Sequence, residues 1–530
     1  MGDSFITDAI IQTIGQEIEW AEGAQECARR ARWAPEPVHV RARFLPSDTA
    51  DAVVRPTRRT TVSTAVTITE SVSVPEGEGR PIPDAATREI IGYAPVHTLA
   101  DLDRAVAAAE AAQPAWAALG HAERGRILNE IADDIEAHAE ELARLLSREQ
   151  GKPLNGPNAR FEVGACALWL RTAADTPLEP EVVFEHEGSR AEVHYDPLGV
   201  IGAIGPWNWP MMISVWQIGP SLRMGNTVVA KPSEFTPLSV LALIEVFNRH
   251  LPEGVLTGIS GDREVGAAIA GHPGFAKIMF TGSTATGRKI VESSAHNLAR
   301  LTLELGGNDA GIVLPGTDVA AIAEGLFWGI FINTGQTCAA LKRLYVHESQ
   351  YEDVVQALAG LAAAMPMGNG LSEDTVLGPL QNEKQFDIVR DLVDDARARG
   401  ARIVAGGRPA TELGPLFYET TIVADIEDGA PLVDEEQFGP VVPVIKYTDI
   451  EDALARANAS SQGLGASVWA NDPEDAIAVA ARVQAGTVWI NQHGAINPHV
   501  PFGGIKASGY GQEFGVAGLK AVAAPKVIQR

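Results

Sequence analysis

The sequence predicts an α/β protein with two doubly wound domains that share a cleft. Short apolar runs typical of strands alternate with segments of helical periodicity, which indicates parallel βαβ units. At 530 residues the chain is also too long for one hydrophobic core, so we expect two or three domains. Ligands in such sheets bind beyond the carboxyl ends of the strands, so the functional motifs should converge there.

The composition, with 45% hydrophobic and 21% charged residues, is that of an ordinary globular protein. Its net charge of -26 argues against nucleic acid or a membrane as the main partner, because both bind basic surfaces. Three distant cysteines argue against a disulfide framework, and no apolar stretch is long enough to span a membrane. The acidic first thirty residues argue against a targeting peptide, so we expect a cytoplasmic protein. We also expect no metal site.

Residues 1–75 differ from the rest of the chain. Isoleucines at positions 6, 10, 14 and 18 predict one short amphipathic helix, and an arginine-rich stretch punctuated by prolines follows. Two interpretations stay open, a loosely attached extension and a segment that docks onto a partner or an oligomer edge.

Helical spacing begins near Asp101, and Gly120 and Gly151 divide this region into two or three helices. The polar segment 181–194, with alternating valine and phenylalanine, predicts an exposed hairpin of the kind that pairs with another subunit. Strand-type runs follow at residues 200–204, 227–230 and 276–280, and a second series lies at 344–346, 403–405, 441–445 and 487–490.

Several motifs lie at the ends of these strands. Asn208 stands between prolines in Pro-Trp-Asn-Trp-Pro, which fixes an amide that could hold a developing oxyanion; a turn asparagine is the ordinary alternative. Lys231 and Glu234 could grip a ribose, although a solvated pair explains them equally well. Gly282 and Ser283 open a helix where a pyrophosphate could approach main-chain amides, but the spacing lacks the middle glycine of G-x-G-x-x-G.

Cys338 is the most informative residue. Small polar neighbours suit an exposed nucleophile, whereas a lone cysteine is usually inert core. Glu304, in Glu-Leu-Gly-Gly-Asn, offers a carboxylate for the same cleft, with a strand-end glutamate as the ordinary alternative. Two further motifs contain Glu436 with Phe438 and Phe502 with two glycines.

These segments, in this order, resemble the aldehyde dehydrogenase superfamily from roughly residue 80 to the end. The resemblance implies two Rossmann-like domains, one for the cofactor and one catalytic, with a β-hairpin oligomerisation arm. It places the NAD-binding domain at 76–177 and 198–306, the catalytic domain at 307–510, and oligomerisation elements at 178–197 and 511–530. It also implies a homodimer or homotetramer.

The resemblance implies that Cys338 attacks an aldehyde, that Asn208 and the Cys338 N–H hold the oxyanion, and that Glu304 activates the water that hydrolyses a thioester. A carboxylate at Glu304 favours a carboxylic acid as product over a coenzyme A ester. NAD is the expected cofactor, since Glu234 disfavours the 2′-phosphate of NADP. The expected cofactor contacts are Trp207, Lys231, Ser233, Glu234, Gly282, Ser283, Glu436 and Phe438.

The residues expected to line the substrate pocket are mostly apolar or aromatic: Trp209, Met212, Ile213, Trp216, Ile332, Thr337, Ile496 and Phe502. Because no arginine is among them to bind a second carboxylate, we expect a medium-sized hydrophobic or aromatic aldehyde. His493 and His499 flank this wall, either as substrate contacts or as structural histidines. A coenzyme A-acylating enzyme and a non-catalytic protein with the same fold are the alternatives.

Overall fold

The structure is a computed structural model that describes residues 67–530. The predicted isoleucine helix and most of the predicted extension lie outside these residues. Helix α1 (Ile68–Val72) begins at Thr67, whose side chain accepts from the Glu70 N–H while the Glu70 carboxylate accepts from the Thr67 N–H. Strands β1 (Arg80–Pro83) and β2 (Ile90–Ala94) form an antiparallel pair.

Three consecutive helices follow where helical spacing predicts two or three. These three helices are α2 (Leu99–Ala118), α3 (Gly120–Ala137) and α4 (Ala139–Gln150), and the next helix is α5 (Ala159–Asp175). The predicted apolar faces are buried, as Leu102 in α2 and Ile131 in α3 show. A helix pattern with one apolar stripe therefore packs that stripe into the core.

The first large sheet has six strands in the order β19-β9-β8-β5-β6-β7, all parallel except the edge strand β19. Its strands are β5 (Val200–Ile204), β6 (Thr227–Lys231), β7 (Leu256–Gly258), β8 (Lys277–Thr281), β9 (Arg300–Glu304) and β19 (Gly509–Tyr510). The connecting helices are α6 (Pro210–Arg223), α7 (Pro237–Asn248), α8 (Arg263–Gly271) and α9 (Thr284–Ser294). Strands β5, β6 and β8 are buried throughout, which explains their continuous apolar sequences.

The second large sheet has seven strands in the order β12-β13-β14-β11-β10-β16-β17. Its strands are β10 (Asp309–Val313), β11 (Leu341–His347), β12 (Arg402–Ala405), β13 (Thr421–Ala424), β14 (Val441–Tyr447), β16 (Gly465–Trp469) and β17 (Thr487–Ile490). The helices of this region are α10 (Val319–Phe331), α11 (Tyr351–Ala364), α12 (Glu383–Ala398), α13 (Pro431–Asp434), α14 (Ile450–Asn458) and α15 (Pro473–Ala480).

One strand departs from the prediction of a parallel series. Residues 403–405 do form a strand, but β12 pairs antiparallel with β13 at the edge of the sheet. Residues 406–420 connect β12 to β13 without the helix that usually carries the chain across to a parallel partner, and the two strands pair antiparallel. The parallel part of the series is confirmed for β11, β14 and β17.

The predicted hairpin is present as β3 (Glu181–His186) and β4 (Ser189–Pro197), and β20 (Ala523–Gln529) pairs antiparallel with β4. Helix α16 (Gly515–Ala521) leads into β20, and β15 (Gln462–Gly463) pairs with β18 (Ile505–Lys506). Apolar side chains of the three-stranded sheet face outward, with Val183 57% and Val527 61% exposed.

The two large sheets divide the chain between Glu304 and Asp309, apart from the short strand β19, which returns to the first sheet. The division into a cofactor-binding and a catalytic domain stays a prediction. Within residues 67–530, no helix combines the length and the hydropathy needed to cross a membrane.

Candidate active site

A strained turn precedes Cys338 and fixes its position between α10 and β11. Asn333, Thr334 and Gly335 have φ values of 51°, 56° and 75°, the left-handed region that L-residues avoid. A Cβ at Gly335 would lie 2.2 Å from the carbonyl oxygen of Gly439, so glycine is required there. The main-chain N–H of Gln381 donates to Gln336 Oε1 at 2.9 Å and secures the buried end of the turn.

Cys338 is partly exposed, and four charged side chains act on its thiol. Burial raises the pKa of Cys338 to about 12; Lys342 lowers it, while Glu436, Glu304 and Asp309 raise it further. The thiol therefore carries its proton at neutral pH, and forming a thiolate requires a base or a neighbouring cation.

The predicted oxyanion donor lies against this turn. Asn208 is buried, and its Nδ2 donates to the carbonyl oxygen of Gln336 at 3.1 Å. The Asn208 carbonyl oxygen accepts from Asn333 Nδ2 at 2.9 Å, so the two segments are joined in both directions. Beside them, Trp209 Nε1 donates to Thr337 Oγ1 at 2.9 Å. The sequence motif and the Cys338 segment therefore form one hydrogen-bonded unit.

A buried ion pair between Lys152 and Glu162 supports Asn208 from the other side. Lys152 Nζ donates to the Asn208 carbonyl oxygen at 2.8 Å and lies 3.5 Å from the centre of the Trp209 ring. Glu162 Oε1 accepts from the first free N–H groups of α6, those of Met211 and its neighbour, at 2.9 and 3.1 Å. Burial lowers the pKa of Lys152 to about 8, against the opposing effect of Glu162.

Glu304 is the last residue of β9, and its side chain is buried. Neither carboxylate oxygen has a hydrogen-bond partner in the described part of the chain. Burial raises the pKa of Glu304 well above its usual value, and the charge of Glu513 raises it further. Burial also raises the pKa of Glu513 to about 8, although Lys277 lowers it. Burial therefore disfavours the ionised form of both carboxyl groups, and an ionised Glu513 further disfavours ionisation of Glu304.

The residues expected around the nicotinamide end come together beside Cys338. The rings of Trp207 and Phe438 meet edge to face with centres 5.4 Å apart. Glu436 Oε1 accepts from the Gly307 N–H at 3.1 Å and lies 3.3 Å from Lys342 Nζ. A Cβ at Gly307 would lie 2.6 Å from the Cys338 carbonyl oxygen, so glycine permits the Cys338 segment to approach this closely.

The residues expected around the pyrophosphate lie at the ends of β8 and β9. Ser283 caps α9 by accepting from the Thr286 N–H at 3.3 Å, which leaves further N–H groups of the helix end free for an anion. Gly282 N–H donates to the Glu304 carbonyl oxygen at 3.0 Å, so this helix end adjoins the strand that carries Glu304.

The residues expected around the adenosine ribose form a separate group at the end of β6. Lys231 is buried, its Nζ donates to the Pro232 carbonyl oxygen at 3.2 Å, and burial lowers its pKa. Ser233 Oγ accepts from the Phe235 N–H at 3.3 Å. Glu234 is half exposed, and Arg80 Nη1 lies 3.8 Å from its carboxylate. Gln381 Nε2 donates to the Phe235 carbonyl oxygen at 3.1 Å, which links this group to the Gln336 turn.

Most of the residues predicted to line the substrate pocket belong to one hydrophobic cluster, against which Cys338 also packs. Five of these residues belong to this buried cluster: Trp209, Met212, Ile213, Trp216 and Phe502. Ile332, Ile496 and Cys338 are partly buried and pack against the same cluster. Thr337 adjoins this cluster and uses its hydroxyl to accept from Trp209.

Comparisons with known proteins show the family of this chain. The aldehyde dehydrogenase family model matches residues 75–528. The chain belongs to the aldehyde dehydrogenase family. Phenylacetaldehyde dehydrogenase of Pseudomonas fluorescens is 40% identical over 82% of this chain and 89% of its own. Geranial dehydrogenase of Castellaniella defragrans is 37% identical over 83% of this chain and 92% of its own. A Bacillus cereus aldehyde dehydrogenase solved as an NAD+ complex has a TM-score of 0.82 and 37% identity, covering 85% of this chain and 92% of its own.

The family, the fold class and the assignment as an aldehyde dehydrogenase are thereby confirmed.

The side chain of His493, which was expected to flank the substrate pocket, is buried. Its Nδ1 lies 2.9 Å from Ser467 Oγ and its Nε2 lies 3.6 Å from Asp309 Oδ2. These contacts give His493 a structural position rather than a place in the pocket.

Several buried charged residues of this aldehyde dehydrogenase were not identified from the sequence, among them Lys152, Glu162, Lys342 and Glu513. For two of these residues, the sequence contains a pattern that could have identified them. Glu162 interrupts an apolar helix pattern in α5, and Lys342 lies inside the apolar pattern of β11. A charge within an otherwise buried pattern indicates a paired or functional group.

Proposed function

We propose that this aldehyde dehydrogenase oxidises a medium-sized hydrophobic or aromatic aldehyde to the carboxylic acid, with NAD as hydride acceptor and Cys338 as nucleophile. The observation that carries the proposal is the hydrogen bond from Asn208 Nδ2 to the Gln336 carbonyl oxygen, 3.1 Å long. This bond places an amide donor beside the segment that carries Cys338. Among the cysteines of the described residues, Cys338 is the one that is not fully buried.

In this mechanism the thiol of Cys338 first loses its proton to water, the resulting thiolate bonds to the carbonyl carbon, and the electron pair of the C=O π bond moves to the oxygen, which becomes an oxyanion. Asn208 Nδ2 has two N–H groups, and its bond to Gln336 uses one of them. The second N–H and the main-chain N–H of Cys338 are the donors for the oxyanion. Removing one such donor typically raises the barrier by about 3 kcal/mol.

The cofactor contacts have the chemistry that NAD requires. The N-terminus of α9 suits the pyrophosphate, and the carboxylates of Glu234 and Glu436 suit ribose hydroxyls. Bound NAD would supply the acceptor for the hydride that leaves the former aldehyde carbon. NADP is less favoured because its 2′-phosphate would meet the Glu234 carboxylate. The solved NAD+ complex of the Bacillus cereus relative supports this choice.

Glu304 is the proposed general base for the water that hydrolyses the thioester. Because burial and the charge of Glu513 raise the pKa of Glu304, the deacylation rate should rise with pH as Glu304 loses its proton. A carboxyl group in this position favours water over coenzyme A as the acyl acceptor.

The substrate class follows from the hydrophobic cluster against which Cys338 packs. Trp209, Trp216 and Phe502 offer aromatic surface, and none of the eight residues expected to line the pocket is an arginine that would pair with a substrate carboxylate. Two relatives are named for phenylacetaldehyde and geranial, which are aromatic and hydrophobic aldehydes of medium size. We infer the same class of substrate for this chain.

We further propose that the sheet of β3, β4 and β20 joins subunits of a homodimer or homotetramer. The exposed apolar side chains Val183, Phe184 and Val527 would be covered in such an assembly. The division into an NAD-binding domain at 76–177 and 198–306 and a catalytic domain at 307–510 belongs to the same proposal, as does the cytoplasmic location.

The test is Cys338→Ala, assayed for NADH formation with aliphatic, aromatic and terpenoid aldehydes. We expect turnover to be lost while calorimetry still detects NAD binding. Sustained turnover by this variant would contradict the mechanism. The product assay is run with and without coenzyme A, and an acyl ester of coenzyme A would show that the acceptor is not water.

A further inference from the structure

We propose that Lys342 is a positioning residue for the nucleophile: it holds the main chain of Cys338 and supplies the positive charge that supports the thiolate. This inference rests on the proposed role of Cys338. It concerns a residue that no sequence motif above includes.

Lys342 occupies a position where a lysine is costly. It is the second residue of β11, and its side chain is only 2% exposed. Its Nζ donates a hydrogen bond to the carbonyl oxygen of Cys338 and lies 3.3 Å from Glu436 Oε1. Burial of an ammonium group carries a large desolvation penalty unless acceptors compensate it, and these two oxygen acceptors are placed to do so. Such a placement indicates a function in the site rather than a contribution to stability.

The charges around the thiol show what that function is. Three carboxyl groups act on Cys338, those of Glu436, Glu304 and Asp309, and each raises the pKa of the thiol. Among the described groups acting on the thiol, Lys342 is the cation that lowers this pKa. Without Lys342, the charged groups that act on the thiol would be carboxylates alone, so formation of the thiolate would become less favourable.

Lys342 also connects the nucleophile with the proposed nicotinamide-ribose contact. Its ammonium group lies between the Cys338 carbonyl oxygen and the Glu436 carboxylate, and 5.7 Å from the Phe438 ring centre. Removing the Glu436 charge should therefore have the opposite effect on the thiol from removing the Lys342 charge. This opposition gives the proposal a second, independent test.

The experiment measures the alkylation of Cys338 by iodoacetamide against pH, with the modified peptide quantified by mass spectrometry so that Cys27 and Cys166 do not contribute. The thiolate displaces iodide and forms a carbon–sulfur bond, so the rate follows the thiolate fraction. For Lys342→Met we expect the apparent pKa of the reaction to rise by about one unit or more, with an alkylation rate near pH 8 reduced about tenfold. Lys342→Arg should restore most of the rate.

Lys446→Met is the matched control, because Lys446 is an exposed lysine of the neighbouring strand β14 and should leave the profile unchanged. A Lys342→Met profile that overlaps the wild-type profile overturns the proposal. If Lys342→Met does not fold, Glu436→Gln decides: a lower apparent pKa supports the proposal, and an unchanged or higher one refutes it. Alkylation requires no aldehyde, so a failure of the proposed enzymatic function would appear separately, as absent NADH formation by the wild-type protein.

Discussion

The turn before Cys338 makes a quantitative prediction for Gly335→Ala. At φ 75° an alanine adopts the left-handed conformation, which costs about 1–2 kcal/mol. Its Cβ would lie 2.2 Å from the carbonyl oxygen of Gly439. That atom belongs to the main chain and cannot rotate away, so the contact adds about 1–3 kcal/mol of overpacking. We expect a total loss of about 2–5 kcal/mol in the free energy of unfolding.

Gly400→Ala is the matched control for the backbone contribution. Gly400 has a φ of 92°, and no atom lies within 4 Å of a Cβ built there. This variant should lose only the conformational cost of about 1–2 kcal/mol. The difference between the two variants isolates the contact with Gly439.

Urea denaturation followed by tryptophan fluorescence measures both variants, and steady-state kinetics measures the site. Relief of the clash moves the turn that carries Gln336 and Cys338, and a displacement of about 1 Å can reduce the rate about 100-fold. We therefore expect Gly335→Ala to lose kcat/KM by that order, while Gly400→Ala retains it. Equal destabilisation of the two variants, or wild-type kcat/KM for Gly335→Ala, would refute the steric reasoning.

Three further outcomes follow from the site. Asn208→Ala should lower kcat 100-fold or more, which corresponds to about 3 kcal/mol in the activation barrier. It should lower the free energy of unfolding by only about 1 kcal/mol, because the Gln336 carbonyl oxygen still accepts from Asn333 Nδ2 at 3.3 Å. Stopped-flow kinetics measures the first effect and urea denaturation the second. Glu304→Gln should give a single-turnover burst of NADH without sustained turnover, whereas a wild-type steady state would exclude its role as base. Burial raises the pKa of Glu513 in the folded state from 4.5 to about 8. Its protonation therefore contributes fully to the free energy of unfolding below pH 4.5, and this contribution is lost as the pH rises through 8. Glu513→Gln should therefore flatten the fall of stability with pH across that window, as measured by urea midpoints.

The parts of the fold that could be predicted from the sequence are those whose burial is uniform. Strands β5, β6 and β8 lie inside a parallel sheet, covered on both faces, so each is a continuous apolar run that stands out between helices. Strand β12 is half-buried at an edge, and four residues contain no information on direction. Its antiparallel pairing depends on the absence of a crossover helix, which is a property of the connection rather than of the strand.

The candidate site divides in the same way. Cys338, Asn208 and Glu304 could be proposed because their motifs, taken together and in order, resemble the aldehyde dehydrogenase superfamily, whereas each motif alone left an ordinary alternative open. The charge partners could not, because Lys342 meets Glu436 and Lys277 acts on Glu513 only after distant segments fold together. Local sequence reports what a residue can do, whereas its pKa depends on neighbours that the chain supplies from elsewhere.

The buried charges nevertheless share an arrangement that suggests why the fold retains them. The main-chain carbonyl oxygen of Asn208 accepts from Lys152, and that of Cys338 accepts from Lys342. Each lysine is balanced by a glutamate, Glu162 in one case and Glu436 in the other. Buried ion pairs contribute little net stability, since desolvation offsets their attraction. The buried Lys152–Glu162 pair, and the buried Lys342 with its partly exposed partner Glu436, are therefore better explained by orientation: each lysine holds a main-chain carbonyl oxygen of a proposed catalytic segment before a substrate arrives.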